Sequence, residues 1–224
     1  HLALGMRSVL ARRVFLGYAL TAVFAFGTLF AYISASSFVV QEVLGLSPTA
    51  YTLVFGANAL ATTLVSSLSM RLVGRVPVRR LLGVGVTWFV TGCLVLVLLV
   101  LVAGTPVVPF LVTLTCTLAA FGMVMGNASA LAVMQVRDRA GSGSAVQGTL
   151  QFAMAGAVSP LVGLGGGVTA MVLVMLACSG LSALSLAVIA RGPGVGPDSG
   201  PDGGSGGTGQ FGTPSPAPAT LPAP

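Results

Sequence analysis

Six long apolar runs, separated by short polar or Gly/Pro-rich breaks, leave this sequence few folds to choose from. Each run reaches the roughly 20 residues that an α-helix needs to cross the hydrocarbon layer of a membrane. A sheet with open edges would leave backbone N–H and C=O groups unpaired in lipid, and no ten-residue alternation indicates a barrel. We therefore predict an all-α membrane protein with six transmembrane helices: Val14–Val40, Thr49–Leu72, Arg80–Val102, Val107–Met134, Gly143–Gly163 and Val168–Ala190.

The composition indicates that lipid is the solvent of this chain. Hydrophobic residues make up 55% of it and charged residues only 6%, whereas soluble domains carry roughly 25% charged residues to solvate their surface. So few charges cannot build a water-facing surface. The lipid bilayer is therefore the predicted environment.

The ten arginines predict the orientation in the membrane, because cytoplasmic loops are enriched in basic residues. None lies in the first, third or fifth connection, so both termini are predicted to be cytoplasmic. Arginine without any lysine indicates a GC-rich gene, and hence the plasma (inner) membrane of a bacterium. The arginines are scattered between apolar runs and form no basic face that would bind nucleic acid. They are Arg7, Arg12, Arg13, Arg71, Arg75, Arg79, Arg80, Arg137, Arg139 and Arg191.

The chain divides into three parts of different character. Residues 1–13 are short and basic and lack an initiator methionine, which suggests a cytoplasmic lead-in at the end of a linker inside a longer protein. Residues 14–191 form the six-helix transmembrane domain. Residues 192–224 are rich in Gly, Pro, Ser and Thr and cannot bury enough apolar area to offset the entropy of ordering. This tail is predicted to be disordered in the cytoplasm.

No group of side chains in the sequence indicates an enzyme, a metal site or a cofactor. The three cysteines lie singly inside apolar runs and the only histidine is His1, whereas a structural zinc site needs about four such ligands. Buried, unpaired thiols are expected. The segment from Gly141 to Ser144 is similar to a serine nucleophile loop, but a nucleophilic serine needs a neighbouring base, and no apolar run contains a histidine.

Polar residues inside the apolar runs are distributed unevenly. Such groups are costly in lipid and tend either to be functional or to hold helices together. Amides occur in or at the ends of helices one, two, four and five, but helices three and six carry none. We predict that helices one, two, four and five surround a polar cavity, while helices three and six face lipid.

Aromatic rings beside a few amides are typical of a pocket for an amphipathic small molecule. Gln147 and Gln151 are four residues apart, so they share one helical face. For each amide alone, interhelical hydrogen bonding or ordinary packing is the alternative. The candidate cavity residues are Phe30, Tyr32, Asn58, Asn127, Gln147 and Gln151.

Several segments resemble one family of membrane transporters. The segments FAYISASSF from Phe30 to Phe38 and QEVLGLSP from Gln41 to Pro48 are similar to the seventh helix and following loop of the bicyclomycin/chloramphenicol-resistance (Bcr/CflA) branch of the major facilitator superfamily. FGAN, which ends at Asn58, resembles the next helix. NASAL, which begins at Asn127, and residues 147–164 resemble the tenth and eleventh helices. The match covers roughly residues 12–190.

This resemblance implies twelve helices in two six-helix halves, each half built from inverted three-helix repeats, with a midplane cavity and rocking between inward and outward states. It implies antiport of small drug-like molecules against protons. This chain is then the C-terminal half, and its partner is an N-terminal six-helix half. The proton-coupling carboxylate is expected in that partner, because none of the four acids here lies well inside a helix. These acids are Glu42, Asp138, Asp198 and Asp202.

The second connection resembles a degenerate copy of the superfamily's cytoplasmic Gly/Asp/Arg loop signature, without its Asp. By that resemblance Arg71, Arg75, Arg79 and Arg80 are expected to act as a cytoplasmic latch as well as a topology signal. Two other functions remain open. One is a facilitator for a metabolite such as a sugar or peptide, and the other is a six-helix membrane assembly protein that transports nothing.

Overall fold

The computed structural model describes residues 12–189, so the lead-in and the tail lie almost wholly outside the described residues. Within that range six helices are long and apolar enough to cross a membrane, which confirms the predicted fold class. A π-helical turn, Val39–Val43, extends the first helix, and another, Ser185–Ile189, extends the sixth. The helices are α1 Arg13–Phe38, α2 Pro48–Leu72, α3 Val78–Leu101, α4 Val107–Met134, α5 Ala140–Gly165 and α6 Val168–Leu184.

Local sequence signals fix the start of α2 and the end of α5. Ser47 caps α2, its hydroxyl accepting a hydrogen bond from the Ala50 N–H at 3.2 Å, and Pro48 occupies the first helical position. Gly166 ends α5 in the left-handed conformation, with φ +55°. The start of α5 differs from the predicted bound, because the helix begins at Ala140 after a short 3₁₀ turn, Arg137–Arg139, and not at Gly143.

The helices pack as two interlocked triplets, α1–α3 and α4–α6. The first helices of the triplets, α1 and α4, lie against each other at the centre. Each also packs on the third and second helices of the opposite triplet: α1 on α6 and α5, and α4 on α3 and α2. The third helices, α3 and α6, pack together. The pairing is symmetric: replacing each helix by its counterpart in the other triplet gives the same set of contacts. Because each triplet contains three spans, the second triplet enters the membrane from the side opposite to the first.

Two apolar clusters fill the bundle. Near the start of α1 the first is built around Phe15, Leu82 and Phe89. Near the other end of α1 the second is built around Phe110 and Met175. All of these side chains are fully buried, so together they hold the central helices, α1 and α4, against the pair α3 and α6.

The helices most exposed on this bundle are α2 and α5. Only 11% of the α2 span and 22% of the span containing α5 are buried, against 33% for α3 and 39% for the span containing α6. The prediction that α3 and α6 face lipid fits their outer faces, where Trp88 and Leu173 are exposed. It misses that α2 and α5 are exposed over a larger part of their length. The contact between α3 and α6 is largely apolar, and Leu96 and Val97 lie in one buried cluster with Met171 and Met175.

One sequence prediction about the cysteines is wrong. Cys93 and Cys178 are buried, as expected, but Cys116 is exposed in a groove between α2 and α4. A thiol inside an apolar run does not have to face the core of a bundle, since lipid solvates it as well.

Candidate functional site

A cavity of about 310 Å³ lies between α1, α2 and α4. Its wall is mostly aliphatic and aromatic, with a small number of amide and hydroxyl groups, as in pockets for small molecules. Asn58 stands ten residues into α2, about 15 Å from the start of that helix, so the cavity lies near the middle of the span. The lining residues are Leu29, Tyr32, Ile33, Phe55, Asn58, Ala59, Thr62, Thr63, Leu118 and Phe121.

A chain of hydrogen bonds joins the three helices at this cavity. Thr115 of α4 donates its hydroxyl hydrogen to Asn58 Oδ1 at 2.6 Å, and Asn58 Nδ2 donates to the Tyr32 hydroxyl oxygen at 3.0 Å. The aromatic ring of Phe55 stacks on Tyr32, with ring centroids 6.1 Å apart and an interplanar angle of 18°. Asn58 and Tyr32 are 3% and 2% exposed, respectively, so the protein fixes both polar groups in place.

The neighbouring threonine hydroxyls of α2 donate their hydrogens to backbone carbonyls. Thr62 Oγ1 lies 2.8 Å from the carbonyl oxygen of Asn58 and 3.0 Å from that of Leu118. Thr63 donates to the carbonyl of Ala59 at 2.8 Å. These two hydroxyls therefore have no hydrogen left to donate into the cavity, although their oxygens can still accept one.

Asn127 lies far from this cavity. It stands seven residues before the end of α4, and Nδ2 donates to Ser69 Oγ of α2 and to the carbonyl of Met123, both at 2.7 Å. Ser69 is three residues from the end of α2, so the contact lies near the end of the bundle where the arginine-bearing connections are. Asn127 thus joins α4 to α2 at a different depth from Asn58.

Gln147 and Gln151 lie together on the face of α5 that approaches α4. Gln147 Nε2 donates to Ser129 Oγ at 2.6 Å, and Gln151 Nε2 lies 3.8 Å from the sulfur of Met125. The Gln151–Met125 and Asn58–Tyr32 pairs each span 26 residues, and each joins the second helix of a triplet to the first. They occupy corresponding places in the two triplets.

Phe30 belongs to a third location, on the side of α1 that approaches α5. Its ring lies 4.9 Å from that of Phe26, which in turn makes an edge-on contact with Phe152 of α5 at 5.9 Å. Nearby, the Ser34 and Ser159 hydroxyls are hydrogen-bonded at 2.9 Å. Of the six predicted cavity residues, only Tyr32 and Asn58 are therefore brought together in one cavity, while the other four lie at the α2–α4, α4–α5 and α1–α5 contacts.

Sequence reasoning missed Thr115 and Phe121 as parts of this site. Thr115 is one of several threonines in α4, and nothing in its immediate sequence separates it from Thr113 or Thr117. The one available signal is its distance of eight residues from the start of α4, close to the ten residues that separate Asn58 from the start of the parallel helix α2.

The described arginines all lie at the end of the bundle where α1 begins. Arg12 binds the Asp138 carboxylate at 2.8 Å and the carbonyl oxygen of Gln135 at 2.7 Å, so the start of α1 is tied to the α4–α5 connection. Around the tight turn between α2 and α3, where Gly74 has φ +99°, the candidate latch residues are exposed: Arg71, Arg75, Arg79 and Arg80.

Within residues 12–189 the only carboxylates are Glu42 and Asp138, and both are exposed at helix ends. The cavity between α1, α2 and α4 therefore contains no charged side chain. What it can do chemically is bind a small molecule by aromatic contact and hydrogen bonding.

Six membrane-spanning helices in two inverted triplets, with a small, largely apolar cavity near the middle of the span, are the architecture of one half of a membrane transporter. A family model described as Major Facilitator Superfamily matches residues 1–160. The uncharacterized MFS-type transporter YdgK of Bacillus subtilis (strain 168) is 35% identical over 159 residues, which cover 71% of this chain and 39% of that protein. The chain belongs to the Major Facilitator Superfamily, a family of multi-pass membrane transporters, and it spans less than half the length of this relative.

Proposed function

We propose that this chain is the C-terminal half of a drug/proton antiporter of the Bcr/CflA branch, exporting small amphipathic compounds of the bicyclomycin or chloramphenicol type. In this proposal it acts in the plasma membrane of a bacterium, with both termini cytoplasmic. The observation that carries the proposal is the uncharged cavity with Tyr32, Asn58 and Phe55 in its wall. Stacked aromatic rings with a few amide and hydroxyl groups suit a compound that is largely apolar but carries polar substituents.

The absence of charge in this cavity supports a division of labour between two halves. Proton coupling requires a group that titrates inside the membrane, and within residues 12–189 both carboxylates lie at helix ends. We propose that the coupling carboxylate belongs to an N-terminal six-helix half, the partner of this chain. The arginine-bearing turn between α2 and α3 would then meet that partner on the cytoplasmic side as a latch.

Drug susceptibility tests the proposal directly. The full-length gene is expressed in a bacterium that lacks its own efflux pumps, and growth is measured against a panel that includes chloramphenicol and bicyclomycin. We expect the gene to raise the inhibitory concentration of at least one drug and the Asn58→Leu variant to lose that effect. Thr91→Val, a matched change at an exposed position of α3, should retain it.

The same strains separate the proposal from its rivals. Uptake of a labelled sugar or peptide, with no change in susceptibility to any drug, would make the protein a metabolite facilitator. No transport of either kind would favour a membrane assembly role. Loss of resistance on collapsing the proton gradient, with expression unchanged, supports antiport.

A further inference from the structure

We propose that the cavity between α1, α2 and α4 selects neutral compounds that carry an exposed hydrogen-bond acceptor, such as a carbonyl or nitro oxygen, on an aromatic frame. This inference rests on the proposed function in one respect, that the cavity faces the transported compound. It deepens that function by naming the chemical feature that is recognised.

The direction of the hydrogen-bond chain carries the argument. A threonine hydroxyl has a single hydrogen, and that of Thr115 points at Asn58 Oδ1, which fixes the side-chain amide with its nitrogen towards Tyr32. The Tyr32 oxygen accepts from that nitrogen. Its own hydrogen has no acceptor among the described residues, and Asn58 Nδ2 retains a second hydrogen.

The other hydroxyl groups of the cavity wall have no hydrogen left to donate to a ligand. Thr62 and Thr63 have given their hydrogens to backbone carbonyls. The hydrogens left to meet a ligand are therefore those of Tyr32 and Asn58, whose donor atoms lie 3.0 Å apart. The Tyr32 hydroxyl can donate to one acceptor oxygen of the ligand. The second Asn58 hydrogen points in a different direction, because the two N–H bonds of an amide diverge, and it can serve a second acceptor.

The surroundings determine the rest of the ligand. No arginine among residues 12–189 lies within the span of α1, α2 or α4 near the cavity, and neither described carboxylate does, so neither an anion nor a cation finds a counter-charge in this wall. Phe55, stacked on Tyr32, and Phe121 offer ring faces to an aromatic frame. A neutral aromatic ketone is the simplest molecule with both features.

The test compares two compounds that differ only by the acceptor, 9-fluorenone and fluorene. Binding to the full-length protein in lipid nanodiscs is measured by equilibrium dialysis, and the signal from empty nanodiscs is subtracted to remove partitioning into lipid. We expect tighter binding of the ketone, and an approximately tenfold loss of ketone affinity in Tyr32→Phe, the scale of one hydrogen bond. Fluorene binding should stay unchanged, which also shows that the cavity remains folded.

Variants of Thr115 separate the chain of bonds from general packing. Thr115→Val frees the Asn58 amide to rotate and should reduce the preference for the ketone, while Thr115→Ser keeps the hydroxyl and should restore it. Thr91→Val, at an exposed position of α3 outside the cavity, should change neither affinity. If Tyr32→Phe does not accumulate, the Thr115 pair still decides.

Equal loss of ketone and fluorene binding in Tyr32→Phe, or equal affinity of the wild-type protein for both compounds, would overturn the inference. Neither result touches the proposed function, which is decided by drug susceptibility. Conversely, a ketone preference that depends on Tyr32, in a protein that changes no drug susceptibility, would support this inference and count against drug export.

Discussion

At the scale of single residues, the amides of this chain have separate roles. Asn58 lines a cavity, whereas the Asn127 side chain joins α4 to α2 near the arginine-bearing end through Ser69 and also donates to the Met123 carbonyl of its own helix. Both are asparagines buried in apolar helices, at 3% and 5% exposure. What separates them is depth and the presence of open space beside the side chain.

Replacing Asn127 with Leu should therefore lower stability and leave drug preference alone. The variant loses the bond to Ser69, and interhelical hydrogen bonds in membrane proteins contribute about 0.6 kcal/mol on average and up to about 1.7 kcal/mol. We expect a loss in this range in equilibrium unfolding by SDS in mixed micelles. Ser69→Ala should cost a similar amount, and the double variant less than the sum.

Growth assays provide the complementary measurement for Asn127. If the proposed drug export holds and Asn127 serves packing, resistance to all exported drugs should fall together, in proportion to the amount of folded protein. A change for some drugs and not for others, at unchanged stability, would return Asn127 to the substrate site where the sequence alone had placed it.

The sequence predicts well which polar residues are buried, but it predicts poorly which side chains they bond to. Burial of Asn58, Asn127, Gln147 and Gln151 followed from the cost of an amide in lipid. The partner of each amide depends on which helix lies opposite and at what rotation, and a single sequence does not encode that visibly. Thr115 was missed because a threonine in a membrane helix usually satisfies its hydroxyl on its own backbone, as Thr117 does on the carbonyl of Thr113.

At the scale of elements, α2 is attached to the bundle mainly along one contact with α4. This contact runs from the Asn58–Thr115 bond, past Thr62 and Gly122, to the Asn127–Ser69 bond. Gly122 allows the closest approach, because a Cβ at that position would overlap the carbonyl oxygen of Thr62. Small residues that let two backbones come together are typical of helix contacts in membranes.

A matched pair of glycines tests how tight this contact is. Gly122→Ala should force α2 and α4 apart and cost about 1–3 kcal/mol, the usual penalty of overpacking. Gly126→Ala, one turn further along the same helix, is the control. A Cβ at that position would have the Ser66 hydroxyl oxygen as its nearest neighbour, at 3.9 Å, and so has room. SDS unfolding measures both. Equal stability of the two variants would contradict the close contact.

The elements themselves were the most predictable part of the fold. Apolar length alone gave six helices, and the bounds of α4 match the prediction at both ends, Val107 and Met134. The start of α5 was placed too late because Gly141, Ser142 and Gly143 look like a break. In the structure they form the first turn of α5, where the helix has packing partners: Gly143 fits closely against Val136 and Phe15.

At the scale of the whole molecule, the arginine distribution agrees with the structure, which places the start of α1 and the α2–α3 and α4–α5 connections at the same end of the bundle. Single cysteines in a background without Cys93, Cys116 and Cys178 test the absolute orientation. We avoid Gly45, Gly74 and Gly104 because their positive φ strains any other residue. Exposed positions at the two ends serve instead, Val102 and Leu164 on one and Val73 and Gly141 on the other.

An impermeant thiol reagent added to intact cells should label cysteines at positions 102 and 164, because the positive-inside rule puts their connections outside. It should reach those at 73 and 141 only after the cells are permeabilised. Labelling of the second pair in intact cells would reverse the orientation. The removal of Cys116 is essential in this experiment, since it is exposed on α4.

The interlocked triplets have a consequence for how the chain is made. Helices α1, α2 and α3 leave the ribosome before α4, yet within this bundle each finds its main packing partners in the triplet that follows. Until α4 is synthesised, these three spans lack most of the contacts that they make in the bundle, and Asn58 lacks the hydrogen bond from Thr115. The arrival of α4, which touches all three, is the event that turns inserted helices into a folded bundle.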